Sequence, residues 1–528
     1  MESTATNGHE RSGTDATFID HNGISGLPIS SSPQASVFKQ SSVNSVNGST
    51  AGSSIIPPEH PFRTLVLCFD GTGDQFDTDN SNIVQLFSML PKSDRTKQMV
   101  YYQAGIGTYT TPQIATPFWS RISKFIDEAI AWNLDAHVMG GYEFLMENYT
   151  ANDRICIFGF SRGAYTARSL AGMLHKVGLL PASNYQQVPF AYKMYTDTSE
   201  TGWKQSNAFK KAFSIDVDIE FVGVWDTVNS VGLIPRRLPF TTSNTIVRTF
   251  RHAVSLDERR AKFKPNLWNR PNEREQVLSV TDQQAHAKHH QHTSKKVSQH
   301  HLERSYSRDP TQPTDIEEVW FAGCHCDVGG GSVDNDTPHT LARIPLRWMV
   351  RQCFKTNSGV MFDCNGLRSI GLDPASLHPY VTQRPPPLPV GDLRLQRMPS
   401  TKAHSKAQTE AALRNFASTE EPAPSAGPSE EELDLADALC PVYDQLSLAW
   451  FWWLLEILPL KQRYQRGDNA WITYLGMNLG RGRFIPKQKA NGVKVHRSVK
   501  TRLEARTESG GRYEPKAAFD LGRTTWVD

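Results

Sequence analysis

The segment Gly159-Phe160-Ser161-Arg162-Gly163 has the pattern G-x-S-x-G, which can present a serine for nucleophilic chemistry. An apolar run of strand length, 154–158, precedes it, and small apolar residues recur at helical spacing after it. A strand that turns sharply into a helix through this pattern exposes the serine hydroxyl, because the glycines allow close backbone approach. The helix N-terminus also favours developing negative charge. We therefore predict Ser161 as a catalytic nucleophile; a turn of small residues that merely packs is the alternative.

A serine hydroxyl is a weak nucleophile at neutral pH, so it needs a base and a carboxylate that orients this base. In α/β-hydrolases the acid follows the serine along the chain, and the histidine follows the acid. Asp226 comes directly after the apolar run that ends at Trp225, and His325 follows the run 319–323. We predict Asp226 as the orienting acid and His325 as the base. The alternatives that stay open are His252 and His496 for the base, and Asp257 and Asp327 for the acid.

Cleavage of an ester passes through an oxyanion, which backbone amides can stabilise. The amide of Arg162, directly after the serine, is the first predicted donor. The glycine-rich turn that begins at Asp70 is predicted to supply the second donor, from Gly71 or Thr72. Asp70 itself is expected to fix this turn by hydrogen bonds. A phosphate-binding loop is disfavoured here, because no Lys-Ser/Thr pair follows the glycines.

Composition disfavours several other classes of function. The net charge of +3 is close to balance and gives no reason to expect a nucleic-acid partner. The seven cysteines are scattered and odd in number, which predicts free thiols in a reducing, cytoplasmic compartment. We find neither the apolar core of a secretory signal nor an apolar run of about eighteen residues. The run Cys324-His325-Cys326-Asp327 lacks a second ligand pair at metal spacing, so we expect no metal and no cofactor.

The elements that must position these residues alternate between strand and helix. Apolar runs of strand length lie at 65–69, 99–102, 154–158, 219–225 and 319–322, and helical patterns lie at 82–90, at 122–149 and after Ser161. This alternation predicts an α/β fold with a mostly parallel sheet and helices on both of its faces. The G-x-S-x-G turn and the order of Ser161, Asp226 and His325 along the chain make this fold α/β-hydrolase-like. Ligands of such sheets bind beyond the carboxyl ends of the strands.

Polar, low-complexity segments interrupt this pattern. We predict a disordered N-terminal segment at 1–58, a disordered insert at 265–314 and a disordered acidic linker at 395–433. The α/β-hydrolase domain is accordingly predicted at 59–394, followed after the linker by a helical part at 434–500 that packs on this domain, and by a tail at 501–528.

The densest apolar block is LSLAWFWWLLEILPL at 446–460. It is too short to cross a bilayer, so a buried helix or the underside of a lid is the plain interpretation. If the block is a helix, Trp450, Trp453 and Leu454 lie on one face and Trp452 lies on another. Part of this apolar surface must therefore contact another element or lipid. We predict that the block flanks the acyl-binding side of the site; an interfacial anchor is the alternative.

Five blocks taken together resemble the signature of one family. They are FDGTGD at 69–74, GIGT at 105–108, GFSRGAYTAR at 159–168, VGVWDTV at 222–228 and WFAGCHCDVGGG at 320–331. The chain is similar in these blocks to an uncharacterised α/β-hydrolase family that includes the phospholipase effectors of bacterial type VI secretion and many fungal proteins. The resemblance covers about 65–335, together with a part around 446–500.

The resemblance implies a serine hydrolase that cleaves carboxylic esters of lipids, with Ser161, Asp226 and His325 as nucleophile, orienting acid and base. The insert before the His325 block and the low-complexity tails depart from the family pattern and leave the substrate open. We hypothesise a cytoplasmic serine esterase of the lipase type, for which a peripheral membrane contact and the oligomeric state stay open. The alternative is a hydrolase-fold binding or scaffold protein with lost or incidental catalysis.

Overall fold

The centre of the molecule is a sheet whose strands run parallel. The computed structural model describes residues 54–72, 74–105, 134–228, 237–268, 299–307, 313–398, 428–465, 471–486 and 488–528. Within these ranges the strands of the central sheet are, in chain order, β1 (Thr64–Phe69), β2 (Gln98–Gln103), β3 (Arg154–Phe160), β4 (Ile219–Trp225), β5 (Val247–Ser255), β6 (Asp315–Phe321), β7 (Val493–His496) and β8 (Thr524–Val527). Their order across the sheet is β8-β7-β6-β5-β4-β3-β1-β2, and every pairing is parallel.

Helices cover both faces of this sheet. Leu65 of β1 packs with the helices Leu134–Asn148 and Ser161–Val177 in one core. Its neighbour Val66 points to the opposite face and packs there with the helix Arg343–Lys355. Because both faces are buried, β1 and β4 are buried along their whole length, as strands of covered parallel sheets are. The predicted α/β fold class is confirmed.

The remaining elements within the described residues are short. The other α-helices are Asn82–Ser88, Val188–Thr196, Glu200–Phe213, Gln299–Ser305, His325–Gly329, Cys364–Ser369, Glu430–Ala438, Gln445–Leu448, Trp453–Ile457, Gln488–Asn491 and Arg497–Glu504. Single 3₁₀ turns lie at Tyr185–Gln187, Pro374–Ser376, Trp450–Trp452 and Leu521–Arg523. Three strand pairs stand apart from the central sheet: Ile55–Ile56 with Phe362–Asp363, Arg394–Leu395 with Arg506–Thr507, and Leu460–Gln465 with Trp471–Gly476. None of these described helices is both long and apolar enough to cross a bilayer.

The three segments predicted to be disordered lie mostly outside the described residues. The described residues at their ends, however, contain a strand and helices. The strand Ile55–Ile56 places ordered chain before residue 59. The helix Gln299–Ser305 lies inside the predicted insert and packs on the domain through Glu303, which pairs with Arg237 at 2.6 Å and accepts a hydrogen bond from the amide of Phe240. Residues 299–305 of the predicted disordered insert therefore form a helix that packs on the domain.

The helix Glu430–Ala438 begins inside the predicted acidic linker 395–433. Buried arginines account for it: Arg347 lies 2.6 Å from both Asp434 and Asp437, and Arg384 lies 2.8 Å from Asp434. The two positive charges hold the pKa of Asp434 well below its ordinary value, although burial alone would raise it. Acidic residues that look solvated by composition are here packed against paired cations.

The C-terminal segments also differ from the prediction. The predicted helical part 434–500 contains β7, and the predicted tail 501–528 contains β8, the edge strand of the central sheet. Val495 of β7 lies opposite Trp526 of β8 and, on its other side, opposite Trp320 of β6. A strand of four residues carries too little alternation to be recognised in sequence, and only its packing partners reveal it.

Candidate active site

Ser161 lies on the sharp turn between β3 and the helix Ser161–Val177. Its φ of 57° is in the left-handed region, where a non-glycine residue is strained. A side chain at Gly159 would approach the backbone of Ala164 to 2.6 Å, and one at Gly163 would approach the carbonyl oxygen of Asp70 to 2.3 Å. The two glycines thus allow the turn to close on itself and on the loop after β1, as the G-x-S-x-G pattern predicts.

Asp226 and His325 lie beside Ser161, at the carboxyl ends of β4 and β6. Nε2 of His325 is 2.7 Å from Oγ of Ser161, and its Nδ1 is 2.5 Å from Oδ2 of Asp226. Exposure of all three residues is at most 6 %. Because β3, β4 and β6 are parallel, their carboxyl ends reach the same edge of the sheet and bring together residues far apart in sequence.

The charge of Asp226 determines which nitrogen of His325 carries the proton. Burial alone would raise the pKa of Asp226, but Arg483 and His325 outweigh it and hold the pKa far below the ordinary value. An ionised carboxylate only accepts hydrogen bonds, so Nδ1–H of His325 donates to it. Nε2 then has the free lone pair that accepts the hydroxyl proton of Ser161. This is the tautomer that a general base requires.

The ring of His325 lies between two aromatic side chains. The ring centroids of Phe160 and Phe263 are 4.8 and 4.9 Å from that of His325. Burial lowers the pKa of His325 below its ordinary value, and the hydrogen bond to Asp226 opposes this shift only in part. The imidazole is therefore neutral at physiological pH and available to accept a proton.

Two amides near Ser161 are the predicted oxyanion donors. Arg162 follows Ser161 in the first turn of its helix, as predicted. The amide of Gly71 donates to Oδ1 of Asp70 at 2.8 Å, and Oγ of Ser81 donates to the same oxygen at 2.6 Å. Asp70 thus accepts two hydrogen bonds within its loop, one of which engages the amide of Gly71, and the oxyanion roles of Gly71, Thr72 and Arg162 stay predictions. The turn residue Gly73 lies outside the described residues.

The alternative residues are engaged elsewhere. Nε2 of His252 accepts a hydrogen bond from the amide of Thr227, and its Nδ1 is 3.0 Å from Glu318. His496 is buried, is stacked on Phe321 and has its pKa lowered to about 3 by burial. Neither histidine is bonded to Ser161.

The two alternative acids bind backbone amides. Asp327 accepts from the amides of Cys324 and Tyr443, at 2.8 and 3.0 Å, and Asp257 accepts from the amide of Gly323 at 2.6 Å. Both carboxylates therefore shape the loops around His325. Within the described part of the chain, no group of three or more His, Cys, Asp or Glu side chains is arranged to hold a metal ion.

Two functional candidates were missed in the sequence. Arg483 lies 2.5 and 2.8 Å from the two oxygens of Asp226, and Glu258 accepts the amide of His325 at 3.3 Å while pairing with Arg260. Glu258 lies three residues after the end of β5, and this position near a strand end could have indicated the site. Arg483 lies in an irregular segment and carries no signal of this kind.

The apolar block at 446–460, here called the Trp-rich block, folds into short helical turns, and one of its residues, Trp452, packs towards His325. Trp452 is buried, with its ring centroid 5.7 Å from that of Phe263, which contacts His325. The buried carboxylate of Glu456 accepts from the amides of Ala261 and Gly480, at 2.5 and 2.8 Å. Glu456 therefore fixes the block to the loop that carries Phe263.

Most of the block's other apolar side chains are exposed, and so are several in the strand Trp471–Gly476 and in the segment that follows it. We call this surface the apolar face. Its members are Leu448, Trp450, Trp453, Leu454, Ile457, Leu458, Tyr474, Leu475, Met477, Leu479 and Phe484. Trp450, Trp453 and Leu454, the stripe that helical spacing separates from Trp452, are thus exposed.

These features define an α/β-hydrolase-like protein with a serine, a histidine and an aspartate at the carboxyl edge of its sheet. The family model described as "T6SS, Phospholipase effector Tle1-like, catalytic domain" matches residues 63–352, which is more than half of the chain. The chain belongs to this family of phospholipase-type hydrolases, and the resemblance seen in the sequence is confirmed.

Similar proteins include a fungal relative and two solved structures. The Saccharomyces cerevisiae protein named "Uncharacterized protein YEL023C" is 29% identical over 579 aligned residues, covering 87% of this chain and 82% of the relative. An uncharacterised protein from Pseudomonas aeruginosa is 16% identical with a TM-score of 0.31, covering 71% of this chain and 53% of that one. The Tle1 effector bound to the VgrG spike of the type 6 secretion system is 17% identical with a TM-score of 0.25, covering 53% of each chain. The chain thus spans about half the length of these two structures.

Proposed function

We propose that the protein is a serine hydrolase that cleaves carboxylic ester bonds of lipids. The observation that carries the proposal is the hydrogen-bonded chain from Oγ of Ser161 through His325 to Asp226, with contacts of 2.7 and 2.5 Å. A serine that merely packed in a turn would not need a buried histidine whose other nitrogen is bonded to an ionised carboxylate. Membership of a phospholipase-type family supports the same conclusion.

The proposed reaction proceeds in two halves. Oγ of Ser161 attacks the ester carbonyl while Nε2 of His325 accepts its proton, and Asp226 stabilises the imidazolium that forms. The amides of Arg162 and Thr72 donate to the oxyanion. The imidazolium then protonates the leaving alcohol, which leaves an acyl group on Ser161. In the second half His325 activates water, which attacks the acyl group and regenerates the free serine.

The apolar face supports a lipid as the source of the ester. Exposed tryptophan and leucine side chains next to a site are suited to the boundary between headgroups and acyl chains. Trp450 and Leu454 of this face are 66% and 48% exposed, and the neighbouring Trp452 contacts Phe263 beside His325. We therefore propose a peripheral contact with membrane lipid through this face. The seven cysteines, all present as free thiols, support a cytoplasmic setting.

The test is labelling by a fluorophosphonate probe, together with hydrolysis of a short soluble ester and of phospholipid vesicles. The full chain should react at Ser161, and Ser161→Ala should lose labelling and turnover, with a loss of about 10⁴-fold or more. Ser169→Ala is a matched control, because this buried serine lies on the same helix and donates to the carbonyl of Tyr165, not to His325. A folded wild-type chain that neither labels nor turns over any ester would instead indicate a binding protein.

A further inference from the structure

Arg483 reaches Asp226 from the C-terminal part of the chain, outside the residues that the family's catalytic-domain model matches. Its Nη1 is 2.5 Å from Oδ1 of Asp226, and its Nη2 is 2.8 Å from Oδ2. Both side chains are fully buried. Two parallel N–H···O bonds between a guanidinium and a carboxylate fix the plane of the carboxylate as well as its position.

The other contacts of Arg483 fix the guanidinium itself. Nε and Nη2 donate to the carbonyl oxygen of Phe263, at 3.1 and 2.7 Å, and Nη1 donates to that of Ser255 at 3.1 Å. The guanidinium is thus held by the end of β5 and by the loop that carries the ring beside His325. It joins Asp226 to the surroundings of His325 through one rigid group.

Asp226 has few other supports. Apart from Arg483 and His325, its carboxylate accepts the amide of Ser255 at 2.9 Å. Its φ of 40° is in the left-handed region, so the local backbone is strained and must be held by its contacts. Without Arg483, a buried negative charge would rest on one amide and one imidazole.

We propose that Arg483 is a positioning residue, which holds the Asp226 carboxylate in the plane that His325 requires and moderates the basicity of His325 through its charge. The proposal rests on the proposed hydrolase function. A cation bonded to the orienting acid cancels part of the field with which this acid stabilises an imidazolium. His325 then stays unprotonated, and able to act as base, at a lower pH than it would beside an unpaired carboxylate.

Other charged groups surround His325 and must stay fixed in any test. From neighbouring elements, His325 is faced by Asp226 at the end of β4 and by Glu258 and Arg260 in the loop after β5. Asp74, after β1, lies near Cys326. Cys326 and Asp327 lie on the same helix as His325, and Cys324 is the N-cap of this helix. Glu258 and Arg260 form a pair at 2.7 Å and act in opposite directions on the pKa of His325. Substitution of Arg483 leaves that pair in place, and although its charge also acts on Glu258, its direct bonds are to Asp226, where the largest change is expected.

The test compares Arg483→Met, which removes the charge, with Arg483→Lys, which keeps the charge but not the fork. In Arg483→Met the acidic limb of kcat/KM for a soluble ester should move about 1 pH unit upward. In Arg483→Lys this limb should stay within about 0.3 units of wild type while kcat falls roughly tenfold, because the carboxylate is no longer held in plane. Arg481→Met is the matched control, since Arg481 lies two residues away with its side chain exposed.

A residue with only a structural role would lower the melting temperature without moving the acidic limb. An unshifted limb in a folded Arg483→Met variant therefore overturns the proposal, as does unchanged kcat in Arg483→Lys. If Arg483→Met does not fold, the double variant with Asp226→Asn should fold, because it removes both buried charges. Failure of this double variant to regain stability would also contradict the assigned pairing.

A second readout separates this proposal from the proposed function. In full-length Ser161→Ala protein labelled with [¹³Cε1]histidine, the resonance lost in His325→Gln reports the pKa of His325 without turnover. Adding Arg483→Met should raise this pKa by about 1 unit. If the wild-type chain cleaves no ester but this shift occurs, the hydrolase function fails while the coupling of Arg483 to His325 stands. If esters are cleaved and no shift occurs, only the role of Arg483 is refuted.

Discussion

The apolar face allows a sharp test of lipid recognition, through the double substitution Trp450→Ser and Leu454→Ser. Full burial of a large apolar side chain is worth about 1.5–3 kcal/mol. Trp450 and Leu454 are 66% and 48% exposed in the free protein, so transfer of the exposed portions into lipid contributes about 2–3 kcal/mol in total. At about 1.4 kcal/mol per factor of ten, vesicle binding should weaken by about 30- to 140-fold.

The assay measures sedimentation with phospholipid vesicles, vesicle hydrolysis, and hydrolysis of a short soluble ester. Only the first two should fall, because both side chains are largely exposed and the hydrogen bonds among Ser161, His325 and Asp226 do not involve them. Phe213→Ser with Ile215→Ser is the matched control, since these side chains are 55% and 48% exposed on a different part of the surface. Trp452 is unsuitable, because it is buried against Phe263. Equal losses in the two double variants, or unchanged vesicle binding in the first, would refute the assignment of the apolar face.

Three further predictions concern the site and the insert. His325→Ala should lose as much esterase activity as Ser161→Ala, and the double variant should lose no more than either single variant. Asp226→Asn should keep a trace of activity, and His252→Ala should keep Ser161 reactive towards fluorophosphonate. Additive losses would contradict the prediction that Ser161, His325 and Asp226 act as one unit. Because protonated His325 cannot accept a proton and burial lowers its pKa, kcat/KM should stay on its plateau as pH falls and decline only below about 6.5, which a pH profile checks. Replacing residues 270–298 by a Gly/Ser linker should preserve the melting temperature and turnover, since the entropy of loop closure costs only about 0.6 kcal/mol per doubling of loop length. Extending the deletion through Glu303 should lower the melting temperature, because it leaves Arg237 without its buried partner.

The sequence predicts the parts of the site that lie at strand ends. Asp226 and His325 each follow an apolar run, and the geometry of a parallel sheet brings such positions to one edge. The hydrogen-bonded chain from Ser161 through His325 to Asp226 is consistent with this prediction from strand ends. The catalytic roles of these residues stay predictions. Arg483 could not be found in this way, because its position depends on how an irregular segment packs against Asp226.

Errors at the segment boundaries have a common physical origin. Composition measures how much apolar area a segment can bury, and Glu430–Ala438 buries little. It is ordered because arginines far away in sequence, such as Arg347 and Arg384, supply charges for its carboxylates. The same holds for β8, whose four residues gain a partner only when β7 is in place. Order that depends on distant partners leaves no local pattern.

The spacing of the site along the chain bears on its biosynthesis. Ser161, Asp226 and His325 leave the ribosome well before Arg483, the residue that holds Asp226. At about 5–20 residues per second, the interval between His325 and Arg483 is roughly 10–30 s. β7 and β8 emerge later still, so the nascent chain lacks both the outer strands and the cation at the carboxylate. The support of Asp226 is therefore completed late in synthesis, so a lipid hydrolase arranged in this way would acquire its activity only after Arg483, β7 and β8 have emerged.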